Sequence, residues 1–247
     1  MFATIKGLVL RETRYKEADR ILTVLTEDRG KLTLKARGAL RKGSRLGAAS
    51  QTLCYSEFTL FGNRGRWTAD EGSTLEQFLG LRGDIGSLAL GTYFAELLDT
   101  VCAEEMPDGP ALQLALNALY ALSRGMYGPE HIKSVFELRL LSLEGFEPET
   151  AVCGVCGRPD IREPMFSPGS GVVHCRECGI LAEGESVTLD AGALDAMRHI
   201  IGAEPRREFS FAVPEESERR LAAAAESFVR RQLDRSFSTL DYWKSVN

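Results

Sequence analysis

The chain has 247 residues, 44% hydrophobic and 26% charged, with a formal net charge of −5. That balance belongs to a globular protein able to bury a sizeable core, and the length suits two or three domains. No window approaches the ~18–20 apolar residues of a membrane-spanning helix, and the N-terminus lacks a secretory pattern, so a cytoplasmic, reducing setting without membrane contact is expected.

Residues 1–80 read as short strands separated by turns. Thr4–Arg11 and Asp19–Thr26 are β-rich, and Glu27–Gly30 forms a turn with Gly30 as its left-handed residue. Lys31–Arg37 alternates polar and apolar residues, as a half-buried strand does, with Lys31, Lys35 and Arg37 outward and Leu32, Leu34 and Ala36 inward. Leu53–Phe61 is a fourth strand. After a turn over Gly62–Gly65, Arg66–Ala69 is a fifth. Five short strands with glycine turns match a small closed barrel, of which the OB-fold is the five-stranded case. A covering helix is expected to begin within residues 75–81.

Residues 84–147 carry helical periodicity. Leu90, Phe94, Leu97, Leu98 and Val101 share one face, and Pro110 suits the first turn of the next helix. A third helix spans Glu130–Leu143. Beyond residue 185 two helices are expected, one marked by Leu189–Ile201 and one opened by Pro214 and running to about Leu240. Tyr242 and Trp243 read as packing residues.

Cys153-Gly-Val-Cys156 and Cys175-Arg-Glu-Cys178 are the most specific pattern, two C-x-x-C pairs separated by eighteen residues. Two residues between cysteines let a tight turn aim both sulfurs at one point, and two such knuckles close a tetrahedron around Zn²⁺. Gly157 and Gly179 follow the second cysteine of each knuckle, where positive φ is often required. A redox pair and disulfides are the alternatives; the first needs no second copy and the second suits secreted chains. Pro159, Pro164, Pro168, Gly169 and Gly171 leave the intervening segment little apolar mass, so a metal would supply its cohesion. Four thiolates saturate the ion, which makes the zinc structural. Cys54 and Cys102 read as buried small apolar residues.

The total charge conceals an asymmetry: residues 1–80 carry a net +5 and residues 81–247 a net −10. From Arg29 to Ser56 there are seven Lys/Arg and no acid. Cations without opposing carboxylates, set among glycine, alanine and Ser44, suit a phosphate backbone, and a flexible basic loop following a strand is expected. Lys31, Lys35, Arg37, Arg41, Lys42 and Arg45 are the candidate DNA-binding residues. A solvated face is the plain alternative. Tyr15, Tyr55, Phe58, Phe61 and Trp67 lie near enough in sequence for some to stack bases. Arg219, Arg220, Arg230, Arg231 and Arg235 lie among acids and read as a salt-bridged surface. There is no phosphate-loop, H-E-x-x-H or G-x-S-x-G pattern, so no catalytic residues are assigned.

Tyr15–Leu22, Leu25–Lys31, Ala36–Arg45, Phe136–Phe146 and the paired cysteines around Phe166–Gly169 occur in an order that resembles the RecO family of bacterial DNA repair and recombination mediators. Leu40 and Gly43 depart from the family's more frequent basic residue and proline. The resemblance implies an α+β multidomain protein: an OB-fold at 1–80, a helical domain at 81–147 and 186–247, and an inserted four-cysteine zinc module at 148–185. It also implies a non-enzymatic, nucleoid-associated mediator that binds single- and double-stranded DNA and anneals complementary strands. With RecR, such a protein loads RecA onto strands coated by single-stranded DNA-binding protein. A zinc-stabilised adaptor that contacts only proteins is the alternative reading.

Overall fold

The computed structural model describes residues 2–63, 65–181 and 184–247, which leaves Arg64 of the expected Gly62–Gly65 turn and Ala182–Glu183 of the expected metal module outside the described residues. The chain forms two compact units, Met1–Arg124 with Phe237–Asn247, and Gly125–Ser236.

The first unit is built on a closed five-stranded barrel. Its strands are β1 (Phe2–Tyr15), β2 (Asp19–Thr26), β3 (Gly30–Ala36), β4 (Tyr55–Asn63) and β5 (Arg66–Glu76), in the order β1-β2-β3-β5-β4. β3 and β5 run parallel; the other neighbours are antiparallel. This is the OB-type barrel that the turn spacing predicts, with β1 and β5 longer than the periodicity indicates. β1 closes the barrel by pairing with β4 through its first half and β2 through its second. Gly7 lies at the changeover, opposite both Thr26 and Ser56. A Cβ there would fall 2.5 Å from Val24 Cγ1 and 2.7 Å from the Leu25 carbonyl, so only glycine permits the approach.

Ile5, Val9, Leu22, Val24, Leu32, Leu34, Phe58, Leu60 and Ala69 fill the barrel. The β3–β4 connection contributes Ala39, Leu46 and Ala49 to the same core, the last two from a one-turn helix, α1 (Leu46–Ala49). The expected flexible loop is therefore a chain of turns with its apolar residues anchored in the barrel. Successive N–H···O bonds link Arg41 to Gly38, Ser44 to Arg41 and Gly47 to Ser44, and the Leu40 N–H donates to the Ala18 carbonyl at 2.9 Å.

α2 (Ile85–Val101) and α3 (Gly109–Ser123) start at aspartate caps. The Ser87 and Ala111 N–H groups donate to the Asp84 and Asp108 carboxylates, and Pro110 occupies the first turn of α3 as expected. The helix expected from residues 75–81 does not form. β5 continues to Glu76, Phe78 takes φ +48°, and a short 3-10 turn spans Leu79–Gly83.

In the second unit, α4 (Pro129–Leu143) packs against α5 (Ala191–Gly202) and α6 (Glu215–Gln232). A small sheet of β6 (Pro164–Ser167), β7 (Val172–Cys175) and β8 (Val187–Thr188) has the order β7-β6-β8. The helix expected to reach Leu240 ends at Gln232. Asp234 turns the chain with φ +44°, and a separate helix, α7 (Ser238–Val246), belongs to the first unit. There, Trp243 is buried, Phe237 meets Tyr93 edge-on at 5.6 Å, and the Thr239 hydroxyl donates to Glu96. Among the described residues no helix is long and apolar enough to cross a membrane.

Candidate nucleic-acid interface and metal centre

The strand alternation places Lys31, Lys35 and Arg37 on the outer face of the barrel. Each meets a carboxylate supplied by another element. Lys31 lies 3.2 Å from Asp99 of α2, Lys35 3.0 Å from Asp19 at the head of β2, and Arg37 2.7 Å from Asp70 of β5. The stretch free of acid in sequence is thus partly neutralised in space. Arg41, Lys42 and Arg45 differ: all three are exposed on the turns pinned to the barrel, and among the described residues none makes an ion pair.

The nearby aromatics separate into two groups. Phe58 is fully buried and Trp67 packs against the barrel core, with the Arg29 guanidinium 5.4 Å from its ring centre. Tyr15 is exposed at the end of β1, with the Lys16 and Lys35 ammonium groups each 5.5 Å from its ring centre. Phe61 is exposed as well, beside Phe2.

In the second unit, Cys153, Cys156, Cys175 and Cys178 bring their sulfurs within 4.8 Å of one another. A tetrahedron with metal–sulfur bonds of about 2.3 Å has sulfur–sulfur edges of about 3.8 Å, a size compatible with this grouping. The first knuckle is closed by backbone bonds: the Gly157 N–H donates to the Cys153 carbonyl and the Cys153 N–H to the Arg158 carbonyl, both at 2.8 Å. Gly157 has φ +72°, as expected. Gly179 does not take positive φ; its role is steric, because a Cβ there would lie 3.0 Å from His174 Cε1.

Burial opposes ionisation of Cys153, but the N–H groups of Cys156, Cys175 and Val155 bring its thiol down to about 6. The N–H and guanidinium of Arg158 lower Cys156. Burial and the neighbouring sulfurs push Cys178 up to about 12, and burial raises Cys175. Four thiolates together repel one another, whereas a divalent cation at their centre stabilises all four. The donor set fits a soft or borderline metal ion and leaves no protein-ligand position open. His174 is held elsewhere, its Nε2 at 3.1 Å and 3.2 Å from the Ser167 and Ser186 hydroxyls. Cys54 and Cys102 are buried. On α6, Arg219 pairs with Glu215 and Glu216, and Arg220 with Glu216, the salt-bridged surface expected.

The family described as Recombination protein O N terminal matches residues 1–78, and Recombination protein O C terminal matches residues 82–241. The chain belongs to the RecO family. The RecO N-terminal match spans the barrel and all six candidate cations, and the C-terminal match spans the four cysteines. The chain is 32% identical over 241 residues to the DNA repair protein RecO of Acetivibrio thermocellus, covering 98% of this chain and 96% of that protein. It is 30% identical to the DNA repair protein RecO of Symbiobacterium thermophilum, covering 96% and 95%. The DNA repair protein RecO of Listeria monocytogenes is 32% identical over 173 residues, 70% of this chain. A further cation outside the basic run is Arg66, which the β4–β5 register sets opposite Asn63, exposed on the barrel's outer face. Its signal in the sequence was to be one of two arginines just beyond the basic run, and the register sets it on the outer face two residues from Thr68, the partner of Phe61.

Proposed function

We propose that this RecO-family DNA repair protein is a non-enzymatic mediator that binds single- and double-stranded DNA through the barrel. Its residues 1–80 form the DNA-binding domain, 81–147 and 186–247 the helical domain, and 148–185 a module held by structural Zn²⁺ on Cys153, Cys156, Cys175 and Cys178. The observation that carries the reading is the exposed trio Arg41, Lys42 and Arg45, free of ion pairs among the described residues and projected on turns whose apolar side is fixed in the core. A cationic surface already held in place loses little conformational entropy on meeting phosphates. Lys31, Lys35 and Arg37 would join it by exchanging their aspartates for phosphate oxygens.

Screening both strands lets complementary strands approach, which is the physical basis for annealing. In this reading RecR is the working partner, RecA is loaded onto DNA carrying single-stranded DNA-binding protein, and the protein works at the cytoplasmic nucleoid. The ion pairs of Lys31, Lys35 and Arg37 support a second reading, a zinc-held adaptor whose barrel face meets protein.

Titrating single- and double-stranded oligonucleotides over a salt series decides between them. The DNA reading expects a log–log slope of about −0.7 per neutralised phosphate on single strands. It also expects the paired changes Arg41→Glu and Lys42→Glu to weaken both substrates at retained fold. Salt-independent or absent binding favours the adaptor.

A further inference from the structure

The strand register carries the barrel's outer face beyond the basic residues. Lys35 of β3 lies opposite Thr68 of β5, Thr68 opposite Phe61 of β4, and Phe61 opposite Phe2 of β1. These four residues therefore form one lateral row across four adjacent strands. At about 4.8 Å between strands, Phe61 stands roughly 10 Å from Lys35 along the row. Phe2 and Phe61 are 77% and 39% exposed, and their rings lie 5.3 Å apart at 55°. Facing across β1 and β4, the two rings contribute modestly to strand pairing, yet neither reaches the core and together they leave an apolar π-surface open to a ligand. Arg66 shares the outer face of β5 with Thr68 two residues away and is exposed. Asp19 pairs with Lys35 at the β3 end of the row; on β4 and β5 the acids begin one row further, with Asp70 and with Glu71 facing Thr59, and continue where Lys6 meets Glu57 at 4.0 Å. The aromatic pair therefore lies at the end of the barrel bearing Arg66, away from those acids.

We infer that Phe61 and Phe2 form a base-stacking platform for single-stranded DNA, with Lys35 and Arg66 holding the flanking phosphates. This rests on the DNA-binding reading above and adds to it a basis for telling single strands from duplex. Bases in a single strand are free to turn a π-face onto an aromatic ring; paired bases are not. Phosphate contacts alone do not make that distinction. The row thus provides two chemistries at suitable separation, cations for the backbone and an apolar π-surface for the bases. Lys35 lies on β3 and Arg66 follows the β4–β5 loop, two of the places where five-stranded barrels of this type take oligonucleotides; the aromatic pair on β4 and β1 extends that surface.

The test compares Phe61→Ala, Phe2→Ala and the double variant with the unchanged chain, on a single-stranded oligonucleotide, the matching duplex, and a single strand of abasic sites. Both side chains lie outside the core, so the fold is expected to survive, and circular dichroism checks it. The expected result is about a tenfold loss of single-strand affinity for each lost stack. Duplex and abasic affinities should hold, and Phe61→Trp should restore single-strand binding. Equal losses on all three substrates, or no loss on any, overturn the platform. If Arg41→Glu and Lys42→Glu still weaken binding in that case, the phosphate reading survives without it. An unchanged DNA affinity together with a change in solution mass would assign the pair to contact with a second copy and also overturn the inference. If the unchanged chain binds no DNA, both readings fall together.

Discussion

Asp19 holds two groups at once: its carboxylate accepts the Gly38 N–H at 2.8 Å and meets the Lys35 ammonium at 3.0 Å. One residue at the head of β2 therefore anchors the basic turn and occupies one of the cations expected to bind phosphate. The Gly38 N–H, then Lys35, hold the Asp19 carboxyl below its usual range. Folded-state stability from this lowered value is present above the unfolded carboxylate pKa of about 3.9 and is lost as pH falls through the folded value.

Asp19→Asn separates the two roles. The amide oxygen still accepts from Gly38, so the turn stays anchored, while Lys35 is released. The pair is partly exposed, so the stability cost should stay within about 1 kcal/mol. DNA affinity should rise, and the salt slope on single strands should steepen by about 0.7, the signature of one more phosphate contact. Fluorescence titrations over a salt series measure both. A slope that does not change would mean that Lys35 contributes nothing to binding.

Removing metal should act on one unit and spare the other. Cys156→Ser, or treatment with a strong chelator, would take away the cation proposed to balance the four sulfurs. Amide exchange should then accelerate across residues 148–188, where β6, β7 and β8 offer only a small sheet. The barrel core at residues 5–69 should keep its protection, because its cohesion is apolar. Metal content by mass spectrometry is expected to be about one ion per chain before treatment, with zinc as the ion. Exchange that does not change on complete loss of metal would remove the structural role.

Gly154 supports that centre sterically. It docks the first knuckle on β7 through its N–H, 2.9 Å from the Val173 carbonyl, and a Cβ would fall 2.0 Å from Val172 Cγ1. Gly154→Ala should cost about 1–3 kcal/mol and weaken metal retention. Val172→Ala clears the space, so the double variant should recover most of the loss. A double-mutant cycle with thermal melts of the metal-loaded protein reads the coupling. Strict additivity would place the cost elsewhere.

The alternation of Lys31–Ala36 and the cysteine spacing were both readable because each depends on neighbours a few residues apart. Lys31 and Lys35 face outward and Leu32 and Leu34 inward, as a period of two requires. What could not be read was the charge environment of those lysines. Asp19, Asp70 and Asp99 arrive from β2, β5 and α2, and nothing in the run from Arg29 to Ser56 encodes them. Phe61 was readable as a possible stacking residue, but its pairing with Phe2 was hidden for the same reason: fifty-nine positions apart in sequence, they become neighbours only through barrel closure. The end of α6 had no proline or glycine to mark it; Asp234 makes the turn from a left-handed conformation that sequence alone rarely signals.

Among the described residues, Lys133 is a buried charge whose loss should be costly. Its side chain is 1% exposed, and its ammonium lies 3.1 Å from Glu137 and 3.2 Å from Glu226, which are 0% and 17% exposed. Burial alone would lower its pKa, but the two carboxylates overcome that and raise it. Lys133→Met leaves the carboxylates of α4 and α6 facing each other without their cation, which should cost about 3–5 kcal/mol. Replacing Lys133, Glu137 and Glu226 together by Met, Leu and Leu removes the buried charges along with the lysine and should recover most of that loss. The raised value also fixes the pH dependence. The stabilisation is complete below the unfolded lysine pKa of about 10.4 and declines as pH rises through the folded value. The deficit of Lys133→Met against the unchanged chain should therefore shrink at strongly alkaline pH. Amide exchange in α4 and α6 at pH 7 and in the alkaline range follows it locally, and a constant deficit would show that the ammonium charge is not what stabilises this helix pair.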